Sequence, residues 1–260
     1  MAIRFVDVLR RITAGGLAGA IVGILVAGVG GRLLMRAAAA LNPQATGART
    51  DNGELVGAIT LSGSSFLIII NGLFVGVLAG IVWIVVSPWL PRGRWRLPAA
   101  TIAATAIATP LLVQPDNPDF RILDADVPIL AMLIGLVALV GLAIAWLDAR
   151  LERRLPRPRD PLPLGLIYGV VTLFGLLFLP LAVGFYLSSE TCGCLNPPSA
   201  IGWALLAVGG TTAASWAIRV ATGRTEAPAA LMAVGRLGLI AAVGLGTVRV
   251  VDDVARILAI

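Results

Sequence analysis

Val127-Pro-Ile-Leu-Ala-Met-Leu-Ile-Gly-Leu-Val-Ala-Leu-Val-Gly-Leu-Ala-Ile-Ala-Trp-Leu147 is one uncharged run, and it is followed at once by Asp148, Arg150, Glu152, Arg153 and Arg154. A bilayer hydrocarbon core about 30 Å thick is crossed by about 20 apolar residues in helical form. Helix is the only open-ended structure that satisfies every backbone N–H and C=O within its own segment when no water is present. This stretch therefore reads as a membrane-spanning helix whose charged tail emerges on one side.

Six further runs of the same kind flank it: Ile12–Leu34, with room for the helix to continue to Leu41, Phe66–Val86, Leu97–Val113, Leu164–Leu187, Ala200–Val220 and Ala229–Val248. The third, bounded by Pro110, is the shortest. The composition agrees. Of 260 residues 58% are hydrophobic and 13% charged, with a mean hydropathy of +0.94, against roughly 25% charged residues in soluble domains. The expected fold is an all-α, polytopic transmembrane bundle of seven spans, forming a single integral membrane domain over residues 1–260.

The net charge of +6 comes from arginine alone, because the chain has neither lysine nor histidine. Arg4, Arg10, Arg11, Arg92, Arg94, Arg96, Arg150, Arg153, Arg154, Arg157, Arg159, Arg219 and Arg224 fall on the side of the N-terminus. The opposite loops, Asn42–Ser65, Gln114–Asp126 and Ser188–Ser199, are neutral or acidic. Positive-inside asymmetry then places the N-terminus in the cytoplasm and the C-terminus outside an inner membrane. The basic N-terminal segment reads as a signal anchor that is retained. Arginines in short loops beside apolar runs are topology determinants, and no nucleic-acid partner is expected. Without lysine there is no Schiff base for retinal, and without histidine the usual haem, zinc and general-base chemistries are closed.

Glycine spacing is the clearest further signal. Gly15, Gly19 and Gly23 recur every four residues in the first span, continued by Ala27 and Gly31, and Gly72, Gly76 and Gly80 do the same in the second. Within lipid, helices associate through close backbone approach along small residues. Packing of the first helix on the second is the expected use, with self-association or pairing with another subunit as the alternative.

Thr101, Thr105 and Thr109 share one face of the third span. They either line a polar path or bond back to their own helix carbonyls. Arg236 lies inside the seventh span, and Arg32 and Arg36 lie one turn apart where the first leaves the membrane. These are candidates for a polar, anion or headgroup site, or for interface anchors. Asp116, Asp119, Asp124 and Asp126 offer oxygen ligands in one loop, but their spacing matches no EF-hand. Cys192 and Cys194, the two cysteines, flank one glycine and are a candidate strained disulfide. No metal site, cofactor or catalytic constellation is expected.

Ala45-Thr-Gly-Ala-Arg-Thr-Asp-Asn-Gly-Glu-Leu-Val-Gly-Ala-Ile-Thr60, preceded by Arg32 and Arg36, and Pro115-Asp-Asn-Pro-Asp-Phe120 resemble an uncharacterised family of bacterial multi-pass membrane proteins. The resemblance implies a membrane-embedded helical fold, and carries no activity, cofactor or site residue. The expected function is a non-enzymatic accessory or scaffold subunit whose partners are membrane lipid, other membrane-protein subunits or a second copy. Solute or ion transport using the threonine face and Arg236 is the alternative, and a lipid-modifying enzyme using the Asp116–Asp126 carboxylates is the third.

Overall fold

In the computed structural model, residues 1–45, 47–48, 60–115, 117, 120, 127–157, 161–187, 199–224 and 226–259 are described, and no strand occurs among them. Seven long helical elements follow one another. Helix α1 runs Ala2–Leu41. Helix α2 is built from Leu61–Ser65, Phe66–Asn71 and Gly72–Val86. Then come α3 (Arg96–Leu112), α4 (Val127–Arg154), α5 (Pro161–Leu177 and Leu179–Leu187), α6 (Ser199–Thr222) and α7 (Ala229–Ile257). Among the described residues six of these are long and apolar enough to cross a membrane. The exception, α3, has 17 residues, which makes it roughly 25 Å long.

Each expected apolar run lies on a helix, and several helices outrun it. Helix α1 has 40 residues, so it is about 60 Å long, twice the hydrocarbon thickness of about 30 Å. Helix α4 continues through Arg154 and α7 through Ile257. Backbone hydrogen bonding does not stop where apolar side chains do, and the charged turns leave the hydrocarbon as helix. Helix α5 breaks at Phe178, because Pro180 supplies no N–H and its ring crowds the preceding turn.

Helix α1 is contacted by α2, α4 and α5; α3 lies between α4 and α7, and α6 packs on α7 and α2. The main buried cluster draws Ala18 and Val22, Trp83, Ala100 and Ile107, Ile144, Val208 and Leu239 from α1, α2, α3, α4, α6 and α7 in turn, with Trp89 from the turn after α2. Small residues set the spacing. A Cβ added to Gly141 would strike Ala104 on α3, and one on Gly246 would strike the Ala106 carbonyl.

The α1–α2 contact is made by backbone on both sides. A Cβ on Gly19 would lie 2.5 Å from the Gly80 Cα, one on Gly23 would lie 2.7 Å from the Gly76 N, and one on Gly76 would lie 2.5 Å from the Gly19 carbonyl oxygen. Gly72 is in the same way set against the Gly23 carbonyl, whereas a Cβ on Gly15 meets side-chain atoms of Ile84 and Trp83. Spacing by four carries this face on to Ala27 and Gly31. In the structure Gly28 instead sits on the Ile68 backbone, and Gly31 has nothing within 4 Å. The reason is a π-helical segment at Gly23–Gly28. Its hydrogen bonds span i to i+5, so the face advances by five residues there. A second π segment, Phe66–Asn71, lies opposite in α2.

Trp89, 2% exposed, closes one end of the core. Its indole N–H donates to the Thr212 hydroxyl at 2.8 Å, which is also within bonding reach of the Val85 and Val208 carbonyls at 2.8 and 2.9 Å. The ring lies over Gly235 of α7. Thr212→Val is expected to lose about 1–2 kcal/mol by leaving the indole N–H unpaired, with Thr212→Ser nearly neutral. Thermal unfolding of the three proteins in detergent checks this.

Candidate functional site

The polar side chains gather at two levels. At the first, the N-terminal turns of α1 meet the C-terminal turns of α4 and α6 and the start of α3. Arg10, 4% exposed, donates through Nε to Asp7 at 3.0 Å and through a terminal nitrogen to the Glu152 carbonyl at 2.6 Å. Arg11 lies 3.3 Å from the second Asp7 oxygen and 3.5 Å from the Glu152 carboxylate. Arg96 donates to Asp148 at 3.1 Å, with its guanidinium 5.7 Å from the Trp83 ring centre. Three carboxylates thus face three guanidiniums across three helices. Beside them opens a cleft of about 60 Å³ lined by Arg11, Trp83, Ser87, Asp148, Glu152 and Trp216. That is space for one or two waters.

The same end carries an aromatic and basic girdle. Trp95 and Trp146 are 60% and 52% exposed, and the guanidiniums of Arg94 and Arg150 stand 5.5 and 5.2 Å from their ring centres. Exposed tryptophan paired with arginine is the usual occupant of the headgroup layer. Arg92 reaches Glu226 at 2.9 Å. That hydrogen bond, with the guanidinium charge behind it, holds the Glu226 carboxyl below the ordinary glutamate range.

At the other end α1, α3, α4 and α7 meet around Ala38, Val113, Ile129, Leu130 and Ile257. Asp253 is fully buried there, and Arg249 Nε stands 2.9 Å from its Oδ2. The N–H is not aimed along that contact, so the pair is ionic rather than hydrogen-bonded. Asn42 and Gln114, both buried, donate to the Ala38 and Pro110 carbonyls.

The residues singled out from the sequence are dispersed between these levels. Arg32, half-buried, and exposed Arg36 lie in the last turns of α1 at the Asp253 end. Arg236 lies in the early turns of α7 near the Trp89 end, exposed and with no ion-pair partner among the described residues. Thr101 and Thr105 donate to the carbonyls of Leu97 and Thr101 at 3.0 and 2.8 Å. Thr109 is fully buried, and its hydroxyl has no partner among the described residues. Cys192, Cys194 and the carboxylates Asp116, Asp119, Asp124 and Asp126 lie outside the described residues. So does most of the Ala45–Thr60 segment that carries the family resemblance.

Sequence reasoning gave Arg10, Asp148 and Glu152 no part in a site. One signal was available. If the helical period of α4 is extended past Leu147, Asp148 and Glu152 fall one turn apart on one face, continuing the buried row of Val137, Gly141 and Ile144.

Long apolar helices packed through small residues, with tryptophan and arginine gathered at one end, define a polytopic helical membrane protein. No protein-family model, curated protein or solved structure matches the chain.

Proposed function

We propose that the protein is a non-enzymatic accessory or scaffold component of a bacterial inner membrane, with its N-terminus cytoplasmic, that binds lipid or other membrane helices. The observation that carries this reading is the disposition of polar groups inside the bundle. Thr101, Thr105, Thr211 and Thr247 bond back to their own helices. The described carboxylates each pair with an arginine near the helix ends. The outward surface is apolar. Leu162, Leu166, Val170 and Leu177 of α5 are each more than 60% exposed, as lipid-facing residues are.

The cytoplasmic N-terminus is supported by the meeting of Arg4, Arg10, Arg11, Arg92, Arg96 and Arg219 at one end of the bundle. The glycine faces of α1 and α2 are turned toward each other, so a partner subunit would use the exposed apolar helices instead.

The test is extraction from native membranes in mild detergent, followed by native mass spectrometry. A defined complex, or a copurifying subunit at fixed stoichiometry, is the expected result. A monomer that associates with no protein and retains no lipid would end the reading.

Small-solute or ion transport is the second reading, favoured by the buried Asp148 beside the Arg11 cleft. Proteoliposome flux that Asp148→Asn abolishes would move the assignment there.

A further inference from the structure

We propose that the arginine end holds a site for a phosphate group, formed by Arg4 and Arg219 with Arg11 and Arg92 around them. The inference rests on the lipid-binding part of the proposed function, and it names where and through what chemistry such binding occurs.

Arg4 and Arg11 are seven residues apart in α1 and so share one face of it. The Arg4 guanidinium lies flat against Gly223: a Cβ there would fall 2.5 Å from Arg4 Cζ and Nη1. Gly223 is the turn that ends α6, with φ +74°. A side chain at this position would strain the backbone and also displace the arginine. The Gly223 N–H donates to the Arg219 carbonyl at 2.9 Å, which places Arg4 beside the last turn of α6. Arg92 is tied to Glu226, three residues beyond Gly223, and Arg11 lines the same cleft as Trp216, three residues before Arg219 in α6.

The carboxylates described at this end are already engaged. Glu226 pairs with Arg92, and Asp7 and Glu152 pair with Arg11. Arg4 and Arg219 have no anionic partner among the described residues, and Arg219 Nε is buried with no acceptor. Like charges drawn together from α1, α6 and the turn before α3 repel in the low dielectric beside a bilayer. An anion with several acceptor oxygens would relieve that repulsion and give the Arg219 Nε–H an acceptor. Guanidinium groups match phosphate through paired N–H donors. The site lies at the same end as the exposed Trp95 and Trp146, at headgroup depth. An anionic phospholipid and free inorganic phosphate both supply this chemistry.

The test titrates purified full-length protein with phosphatidylglycerol or phosphatidylcholine and counts bound lipid by native mass spectrometry. In parallel, thermal unfolding is followed with and without inorganic phosphate. The wild type is expected to prefer phosphatidylglycerol. Arg4→Gln, at an exposed position, should cut that preference about five-fold, and Arg4→Gln with Arg219→Gln about twenty-five-fold, at roughly 1 kcal/mol per arginine. Arg153→Gln with Arg154→Gln removes the same charge from the exposed end of α4 and should leave the preference unchanged.

Stabilisation by inorganic phosphate that the Arg4 and Arg219 substitutions abolish, without any lipid preference, would assign the site to the free anion. The proposal is overturned if neither phosphate source binds selectively, or if the Arg153 and Arg154 pair weakens binding as much as the Arg4 and Arg219 pair. Arg4→Gln alone separates lost binding from misfolding. Because purified protein is titrated, the result is independent of whether a partner subunit exists in native membranes.

Discussion

Gly23→Leu is expected to leave little stable protein, with the largest loss of any single substitution considered for this chain. The Cβ it introduces meets the Gly72 carbonyl and the Gly76 backbone, with the Gly76 N at 2.7 Å. Overpacking costs about 1–3 kcal/mol where neighbouring side chains can give way. Here both walls are backbone, so one helix must move away from the other and the Gly19–Gly76 and Gly23–Gly72 approaches are lost together. In lipid that close contact is itself the force holding the pair, and a loss above about 3 kcal/mol is the expected size. Gly31→Ala is the matched control. It has nothing within 4 Å and should be neutral or slightly stabilising, by up to about 1 kcal/mol from helix propensity. Size-exclusion thermostability in detergent reports both. Equal melting of Gly23→Leu and wild type would mean that α1 and α2 are not held together along this face.

The second large effect concerns Asp148. Asp148→Ala leaves Arg96 against Trp83 without its counter-ion, in a helix end that is mostly buried. Breaking a buried pair costs about 3–5 kcal/mol. Since Arg96 is 31% exposed, solvent screening brings the expected loss down to about 2 kcal/mol. Removing both charges at once should recover most of it, because apolar replacements often equal a buried ion pair in stability. Arg96→Met with Asp148→Leu is therefore expected within about 1 kcal/mol of wild type. The four proteins form a double-mutant cycle, and additive losses would show that the two residues do not act as a pair.

The helices were legible because the bilayer imposes one demand, an uncharged run of sufficient length, and composition records it directly. Ends were less legible. Leu147 and Val248 close apolar runs, whereas the helices continue to Arg154 and Ile257; the first helix ends at Leu41, where its expected extension ended. Side-chain polarity marks the hydrocarbon boundary and says nothing about where hydrogen bonding ceases. The four-residue glycine spacing carried real information up to Gly23, and failed beyond it because a π segment changes the period without any residue that announces it. Partner choice was not legible at all. Arg10 and Arg11 are adjacent and look alike in sequence, yet one is buried against the Glu152 carbonyl and the other is 48% exposed. That difference depends on where α4 passes, which is a property of the assembled bundle.

Helix α1 also has a bearing on the order in which the protein is made. Within its apolar window 44% of residues are buried, against 17–33% for the other candidate spans. Translation delivers α1 to the bilayer before the helices that cover it. Until α2 arrives its glycine face is bare, and until α4 arrives Arg10 lacks the Glu152 carbonyl. The most dependent of the described helices is thus inserted before those that cover it. The newborn chain must shelter it, in the insertion machinery or against lipid, for the time needed to synthesise about a hundred further residues at roughly 5–20 per second. A stall in translation between α2 and α4 would therefore leave Arg10 and the side of α1 that faces α4 uncovered.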